Sequence, residues 1–118
     1  MQIQLKAPAI WFYNKAIDFR KSIDGLVGHI HACLNQNPAL GIYIFFNRTR
    51  DKLKILAWHG NGFVLLYKRL ECGKFTIPDN ATDTQTVTLD EKQLSWVLAG
   101  LDWEKMRQWN TLEFDEYS

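Results

Sequence analysis

The apolar positions near the start of the chain predict a short strand followed by an amphipathic helix. Residues 9–13 form an unbroken apolar run, which is typical of a buried strand. From residue 22 to about residue 36, apolar positions recur every three or four residues and draw one stripe along a helix. Ser22 is a suitable N-cap, because its hydroxyl can accept a hydrogen bond from a free backbone N–H of the first turn. The stripe consists of Ile23, Leu26, Val27, Ile30, Cys33 and Leu34.

The middle of the chain predicts an antiparallel β-meander. Strand-like segments cover residues 42–47, 52–59 and 63–70, and a fourth short strand is expected at 74–77. The sequence Gly60-Asn61-Gly62 predicts a tight turn between the second and third of these, because glycine and asparagine tolerate positive φ. The strands carry apolar residues on both faces in places, so we expect the sheet to be covered on both sides.

The last part of the chain predicts a pair of helices and an acidic tail. Thr88 and Glu91 have the spacing of a capping box, and Gly100 is placed to end the helix that follows. A second short helix is expected at 102–109, and residues 111–118 are expected to form a mobile acidic tail. The chain is thus predicted to be a single α+β domain over residues 1–118. Its architecture is expected to be a three- to four-stranded antiparallel β-meander packed with one N-terminal helix and a C-terminal helical pair.

Charge is distributed unevenly along the 118 residues, although the net charge is only +1. Residues 48–74 hold seven Lys/Arg against two Asp/Glu, whereas residues 75–118 hold three Lys/Arg against nine Asp/Glu. A concentrated basic segment is typical of a surface that binds an anionic polymer. The acidic segment would steer partner docking or shield the basic one.

Six cations of the predicted hairpin are candidate nucleic-acid contacts. Alternate residues of a strand share a face, and the end of the partner strand lies beside the start of the first, so we expect the six to converge on one rim. Such a rim would bind phosphate, and Tyr67 is a candidate for aromatic contact with the nucleic acid. The alternative is a solvated sheet edge that Lys and Arg protect from aggregation. The candidates are Arg48, Arg50, Lys52, Lys54, Lys68 and Arg69.

Signals for catalysis, metals and membranes are weak. His29, His31 and Cys33 lack zinc-site spacing, so no metal and no cofactor is expected, and no nucleophile motif is present. Cys33 is interpreted as a core residue, and both it and Cys72 as free thiols. The N-terminal residues do not have the pattern of a signal peptide, and the apolar runs are too short to span a bilayer. We expect a cytoplasmic protein that is not embedded in a membrane.

Three stretches of the chain have the sequence patterns of one protein family. The first is 18–26, which is similar to the family pattern D-x-R-K-x-x-D-G-L. The second runs from Phe46 to Pro78 and carries most of the specificity, and the third, 94–103, is similar to the closing L-x-x-L-x-G-x-D-W. Together they extend from residue 18 to residue 103, and they resemble the TnpB-type accessory proteins of bacterial insertion-sequence family sixty-six, the products of the second reading frame.

The resemblance implies a protein required for transposition of its element, with a separate transposase. Our leading hypothesis is that it is not an enzyme. We hypothesise that the basic hairpin binds DNA backbone, that the cognate transposase is a partner, and that the protein self-associates through its apolar sheet. One alternative is a pure interaction module that docks an acidic protein. Another is a metal-dependent nuclease that uses Asp18, Asp24 or Asp51.

Overall fold

A computed structural model describes residues 9–78 and 85–101, which form a five-stranded mixed sheet with one helix on each face. The strand order is β4-β3-β2-β1-β5. Strands β1 and β2 are parallel, and every other neighbouring pair is antiparallel. In chain order the elements are β1 Ile10–Tyr13, α1 Ile23–Cys33, a 3-10 turn Pro38–Leu40, β2 Ile42–Phe46, β3 Lys52–His59, β4 Gly62–Arg69, β5 Thr86–Leu89 and α2 Glu91–Leu98.

Two apolar clusters hold the helices against the sheet. Strand β2, IYIFF, is buried at all five positions because it lies in the middle of the sheet and supplies side chains to both faces. On one face, Leu26 and Ile30 of α1 pack on Tyr43, Phe45 and Leu56. On the other face, the apolar side of α2 closes a second cluster, which contains Phe12, Ile44, Phe46, Leu53, Ile55, Trp96 and Val97. Burial of these side chains supplies most of the stabilising free energy, at about 25 cal/mol per Å² of apolar area.

The two helices begin in different ways. Helix α1 follows Ser22, which has the extended backbone of an N-cap but makes no side-chain capping bond. Helix α2 follows Asp90, whose carboxylate accepts from the Gln93 N–H while the Gln93 side chain accepts from the Asp90 N–H. This reciprocal pair is a capping box, and it lies two residues later than the one expected from Thr88 and Glu91. Gly100 has a φ of 74° just beyond α2, so its predicted role in ending the helix is confirmed.

The predicted α+β fold, an antiparallel meander with an N-terminal helix and a C-terminal helical pair, is wrong, and the described residues form a mostly β structure. The sheet has five strands and contains a parallel pair, because α1 crosses between β1 and β2 and places them side by side. Strand β5 was missed since Thr86–Leu89 has only four residues, of which Val87 and Leu89 point to the core. Residues 74–77, expected to be a strand, are not one. The second helix expected at 102–109 and the tail at 111–118 lie outside the described residues.

Neither of the helices in the described ranges is long and apolar enough to cross a membrane.

Candidate functional site

The turn between β2 and β3 is built around the buried amide of Asn47. Its Oδ1 accepts from the backbone N–H groups of Asp51 and Lys52, at 3.1 and 3.0 Å. Its Nδ2 donates to Thr49 Oγ1 and to Asp51 Oδ1, at 2.9 and 2.7 Å, and the Thr49 hydroxyl donates to the same Asp51 oxygen. Asparagine suits this position because its side chain can substitute for backbone partners in a tight turn. The network leaves the alternate residues Arg48 and Arg50 exposed.

Five cations surround this turn, and we call them the basic rim: Arg48, Arg50, Lys52, Arg69 and Lys74. Lys52 and Arg69 are cross-strand partners at the end of the β3–β4 ladder, so their side chains share a face. The chain after β4 then returns along the turn, where Leu70 N donates to Asp51 O and Phe75 N donates to Arg50 O. The second of these bonds brings Lys74 next to Arg50. All of the rim residues are exposed except Lys52, which is half-buried.

The two carboxylates near the rim, Asp51 and Glu71, bind side chains that are close to them in sequence. Asp51 accepts from Asn47 and Thr49, and these bonds lower the pKa of its carboxyl group. Glu71 pairs with Arg69 at 2.9 Å, which raises the pKa of that guanidinium above its already high ordinary value. The Asp51 carboxylate is thus used to shape the turn, and Arg48, Arg50, Lys52 and Lys74 stay available for an anion of another molecule.

Lys54 lies outside the rim although it is on the same strand and face as Lys52. Its side chain is buried, and its Nζ donates to the carbonyl oxygens of Phe19 and Lys21 at 2.7 Å each. The ammonium also lies 4.7 Å from the centroid of the Phe19 ring. Burial lowers the pKa of Lys54. The lysine therefore fastens the loop that precedes α1 onto the sheet, which sequence reasoning did not find because the two partners lie more than thirty residues away.

Lys68 points to the opposite face from Arg69, because successive strand residues alternate. Its Nζ donates to the carbonyl oxygen of Leu98, in the last turn of α2. A lysine at this place satisfies a carbonyl that the helix leaves free and complements the negative end of the helix dipole. The expected convergence of all six cations on one rim is thus not what the structure shows: four belong to the rim, Lys54 is internal, and Lys68 is on the other face.

The aromatic residues near the hairpin differ in exposure. Tyr67 is 54% exposed and its ring lies 6.1 Å from that of Phe19, so it remains accessible. Trp58 is 40% exposed, and it makes an edge-to-face contact with Phe63 at 5.1 Å. Phe75 is buried in the cluster beneath α2. Tyr67 is thus placed where an aromatic contact is sterically open, on the same face as Lys52 and Arg69.

The acidic residues considered for metal-dependent cleavage have local structural partners. Asp18 is paired with Arg20 at 2.8 Å and also accepts from the Arg20 N–H, and these bonds lower its pKa to about 2. Asp24 lies in the first turn of α1, where a negative charge complements the helix dipole. Among the described residues, no three His, Cys, Asp or Glu side chains form a group that could hold a metal ion. Cys33 and Cys72 are both free thiols as expected, but Cys33 is exposed rather than in the core.

Comparison with known proteins places the chain in a family. The family described as "IS66 Orf2 like protein" matches residues 8–108, and the chain belongs to it. It is a family of insertion-sequence accessory proteins and not a known enzyme family. Two curated relatives come from Sinorhizobium fredii (strain NBRC 101917 / NGR234). "Uncharacterized protein y4jC" is 32% identical over 96 residues, and "Uncharacterized protein y4hO" is 30% identical over 95. The alignments cover 80% of this chain in both cases, and 80% and 81% of the relatives. No solved structure matches.

Proposed function

We propose that this protein is a non-catalytic accessory protein required for transposition of its insertion sequence, and that it holds DNA by its phosphate backbone through the basic rim. It acts in the bacterial cytoplasm alongside the separate transposase. Arg48, Arg50 and Lys52 make the central contacts, and Lys74 and Arg69 extend them. Lys54 and Lys68 position the loop before α1 and the end of α2, and Tyr67 supplies the aromatic surface at the side of the rim.

The observation that carries this proposal is a difference between the acidic and basic groups of one turn: the carboxylate is hydrogen-bonded within the turn, and the guanidinium groups face solvent. The Asn47 network engages the carboxylate of Asp51 inside the turn, while the neighbouring guanidinium groups of Arg48 and Arg50 face solvent. Arg50 has a φ of 63°, a left-handed conformation that costs a side-chain-bearing residue about 1–2 kcal/mol relative to glycine. A charged side chain at such a strained position supports a role for the side chain itself.

A backbone-binding rim predicts a steep dependence of affinity on salt. Each phosphate neutralised on duplex DNA releases counterions, so the slope of log K against log salt is about −0.9 per contact. The four available rim cations therefore predict a slope of about −3.6, which steepens to about −4.5 where Arg69 exchanges Glu71 for a phosphate. The affinity should depend little on base sequence, because phosphate contacts position a protein without reading bases.

The test compares two variants that change the net charge by the same amount. Arg48→Gln with Arg50→Gln removes two positive charges from the rim, and Lys92→Glu changes the charge by two on the exposed start of α2. Fluorescence anisotropy with a short labelled duplex, over a series of salt concentrations, gives affinity and slope. We expect the rim variant to lose about two units of slope while Lys92→Glu retains that of the parent. Absence of binding at low salt, or equal slopes in the two variants, would refute the proposal.

The same two variants separate this function from docking of an acidic protein. If the rim binds only a protein, the parent will show no affinity for DNA, and capture of the cognate transposase from nuclease-treated extract will fall in the rim variant alone. Cleavage of DNA that depends on a divalent metal and is lost in Asp51→Asn would instead favour a nuclease. The local engagement of Asp18 and Asp51 weighs against that outcome.

A further inference from the structure

Among the described residues, strand β4 forms an open edge of the sheet. It is the last strand in the order β4-β3-β2-β1-β5, it spans eight residues, and it contains no proline. The opposite edge, β5, has only four residues. Long exposed edges pair readily with other strands, and natural proteins commonly shorten, cover or charge them. Within the described part of the chain, β4 pairs with β3 alone.

The register of the β3–β4 hairpin shows which backbone groups of β4 face outward. Leu70 N donates to Asp51 O, and hydrogen-bonded and non-bonded residue pairs alternate along an antiparallel ladder. The even-numbered residues of β4 therefore direct their N–H and C=O groups to β3. The odd-numbered residues direct theirs away from the sheet, and these are Phe63, Leu65, Tyr67 and Arg69.

The side chains along this edge are mostly apolar and only partly covered. Leu66 and Tyr67 are 38% and 54% exposed, whereas five consecutive residues of the neighbouring β3 are buried. Cations occur only at the C-terminal end, at Lys68 and Arg69. The N-terminal three-quarters of the edge thus lacks the charges that would prevent a second strand from pairing with it.

We propose that two copies of this chain associate by antiparallel pairing of β4 with β4 about a two-fold axis at Leu66. In this register all four outward-facing residues of each copy meet outward-facing residues of the other. Phe63 lies opposite Arg69 of the second copy, and Leu65 lies opposite Tyr67. On the other face, Val64 lies opposite Lys68, and Leu66 lies opposite its own equivalent. The two sheets become one continuous ten-stranded sheet.

Charge favours a second copy in this arrangement. Antiparallel pairing places the two Arg69 side chains at opposite ends of the joint, about 20 Å apart along the strands. Each of them lies across from an aromatic ring, which is a favourable neighbour for a guanidinium group. Parallel pairing would set like charges side by side. The dimer leaves Arg48, Arg50, Lys52 and Lys74 of the basic rim outside the joint, whereas Arg69 and Tyr67 lie within it.

Disulfide trapping tests this register. Cys33 and Cys72 are exposed, so both are first replaced by serine. Leu66→Cys then places two thiols in a non-bonded pair with a Cα separation of about 4.5 Å, which a disulfide can bridge. Val64→Cys is the matched control, since its equivalent lies four residues away, at about 13 Å. We expect a cross-linked dimer with Leu66→Cys, none with Val64→Cys, and a linked dimer again when Val64→Cys and Lys68→Cys proteins are mixed.

The mass of the unmodified chain in solution provides the second test. Sedimentation should give twice the monomer mass as concentration rises. Leu66→Lys should restore the monomer, because two lysines would face each other across the axis. Leu40→Lys, at a 60% exposed position in the 3-10 turn, should remain a dimer. A parent that is monomeric at every concentration, or equal cross-linking of Leu66→Cys and Val64→Cys, would overturn the proposal.

Discussion

Replacement of Lys54 by methionine separates a structural lysine from a DNA-binding one. Methionine keeps the length and apolar stem of the side chain but removes the ammonium group that donates to Phe19 O and Lys21 O. Loss of a hydrogen bond to a part-buried carbonyl costs about 1–1.5 kcal/mol. The contact with the Phe19 ring adds about 0.5–1 kcal/mol, and relief of the cost of burying an ammonium offsets part of the sum.

We therefore expect the free energy of unfolding to fall by about 2 kcal/mol in Lys54→Met. For a chain of this size that corresponds to a decrease in Tm of about 8 °C, at about 4 °C per kcal/mol. Thermal unfolding followed by circular dichroism measures the change. Lys52→Met is the matched control: it removes the same charge from the same strand and face, at a half-buried position in the rim, and should cost about 0.5 kcal/mol or less.

DNA binding should show the opposite order of effects. Lys52→Met should reduce the salt slope by about 0.9, and Lys54→Met should leave it unchanged at a temperature where both variants are folded. A Lys54→Met protein with the Tm of the parent and a reduced salt slope would refute the assignment of Lys54 to the interior.

Two further predictions concern the turn and the loop before α1. Arg50→Gly should unfold at the same temperature as the parent or slightly above it, because release of the left-handed conformation at about 1–2 kcal/mol offsets the entropy of glycine, at about 0.5–1 kcal/mol. Arg48→Gly, which has no positive φ to relieve, should unfold below the parent. Asp18 has a pKa lowered from 3.8 to about 2 by Arg20, so its pairing stabilises the fold above about pH 4 and is lost as the pH falls through 2. Asp18→Asn should flatten this decline in Tm, and an NMR titration in which Asp18 titrates near its ordinary pKa would contradict the reasoning.

The strands that could be predicted from the sequence are those with strong local signals. Strand β3 has the predicted bounds, β1 and β2 each differ from the prediction by one residue at one end, and β4 differs by one residue at both ends. Strand β5 could not be recognised, because four residues give too few alternating positions, and Thr88 followed by Glu91 imitates a helix start. The parallel pairing of β1 with β2 depends on contacts across α1, which local patterns do not report.

The residues of the candidate site also fall into two groups: those that local sequence patterns place and those that contacts distant in sequence place. Arg48, Arg50 and Lys52 are placed by the turn in which they lie, so the cluster of cations was predictable. The direction of Lys68 was predictable in principle from strand alternation, whereas its partner in α2 was not. The burial of Lys54 depends on a loop far away in sequence, so a charge count along the hairpin overestimates the number of available cations.

The position of β1 has a consequence for synthesis on the ribosome. Its two neighbours become available at different times: β2 soon after it, and β5 only when nearly all of the described chain has been made. In a nascent chain, one edge of the apolar strand β1 therefore stays unpaired until Leu89 has left the ribosome. Unpaired strand edges can pair with strands of other chains and cause misfolding. The β2–β3–β4 segment needs no later residue for its ladders, so the part that carries most of the exposed arginines can form while translation continues.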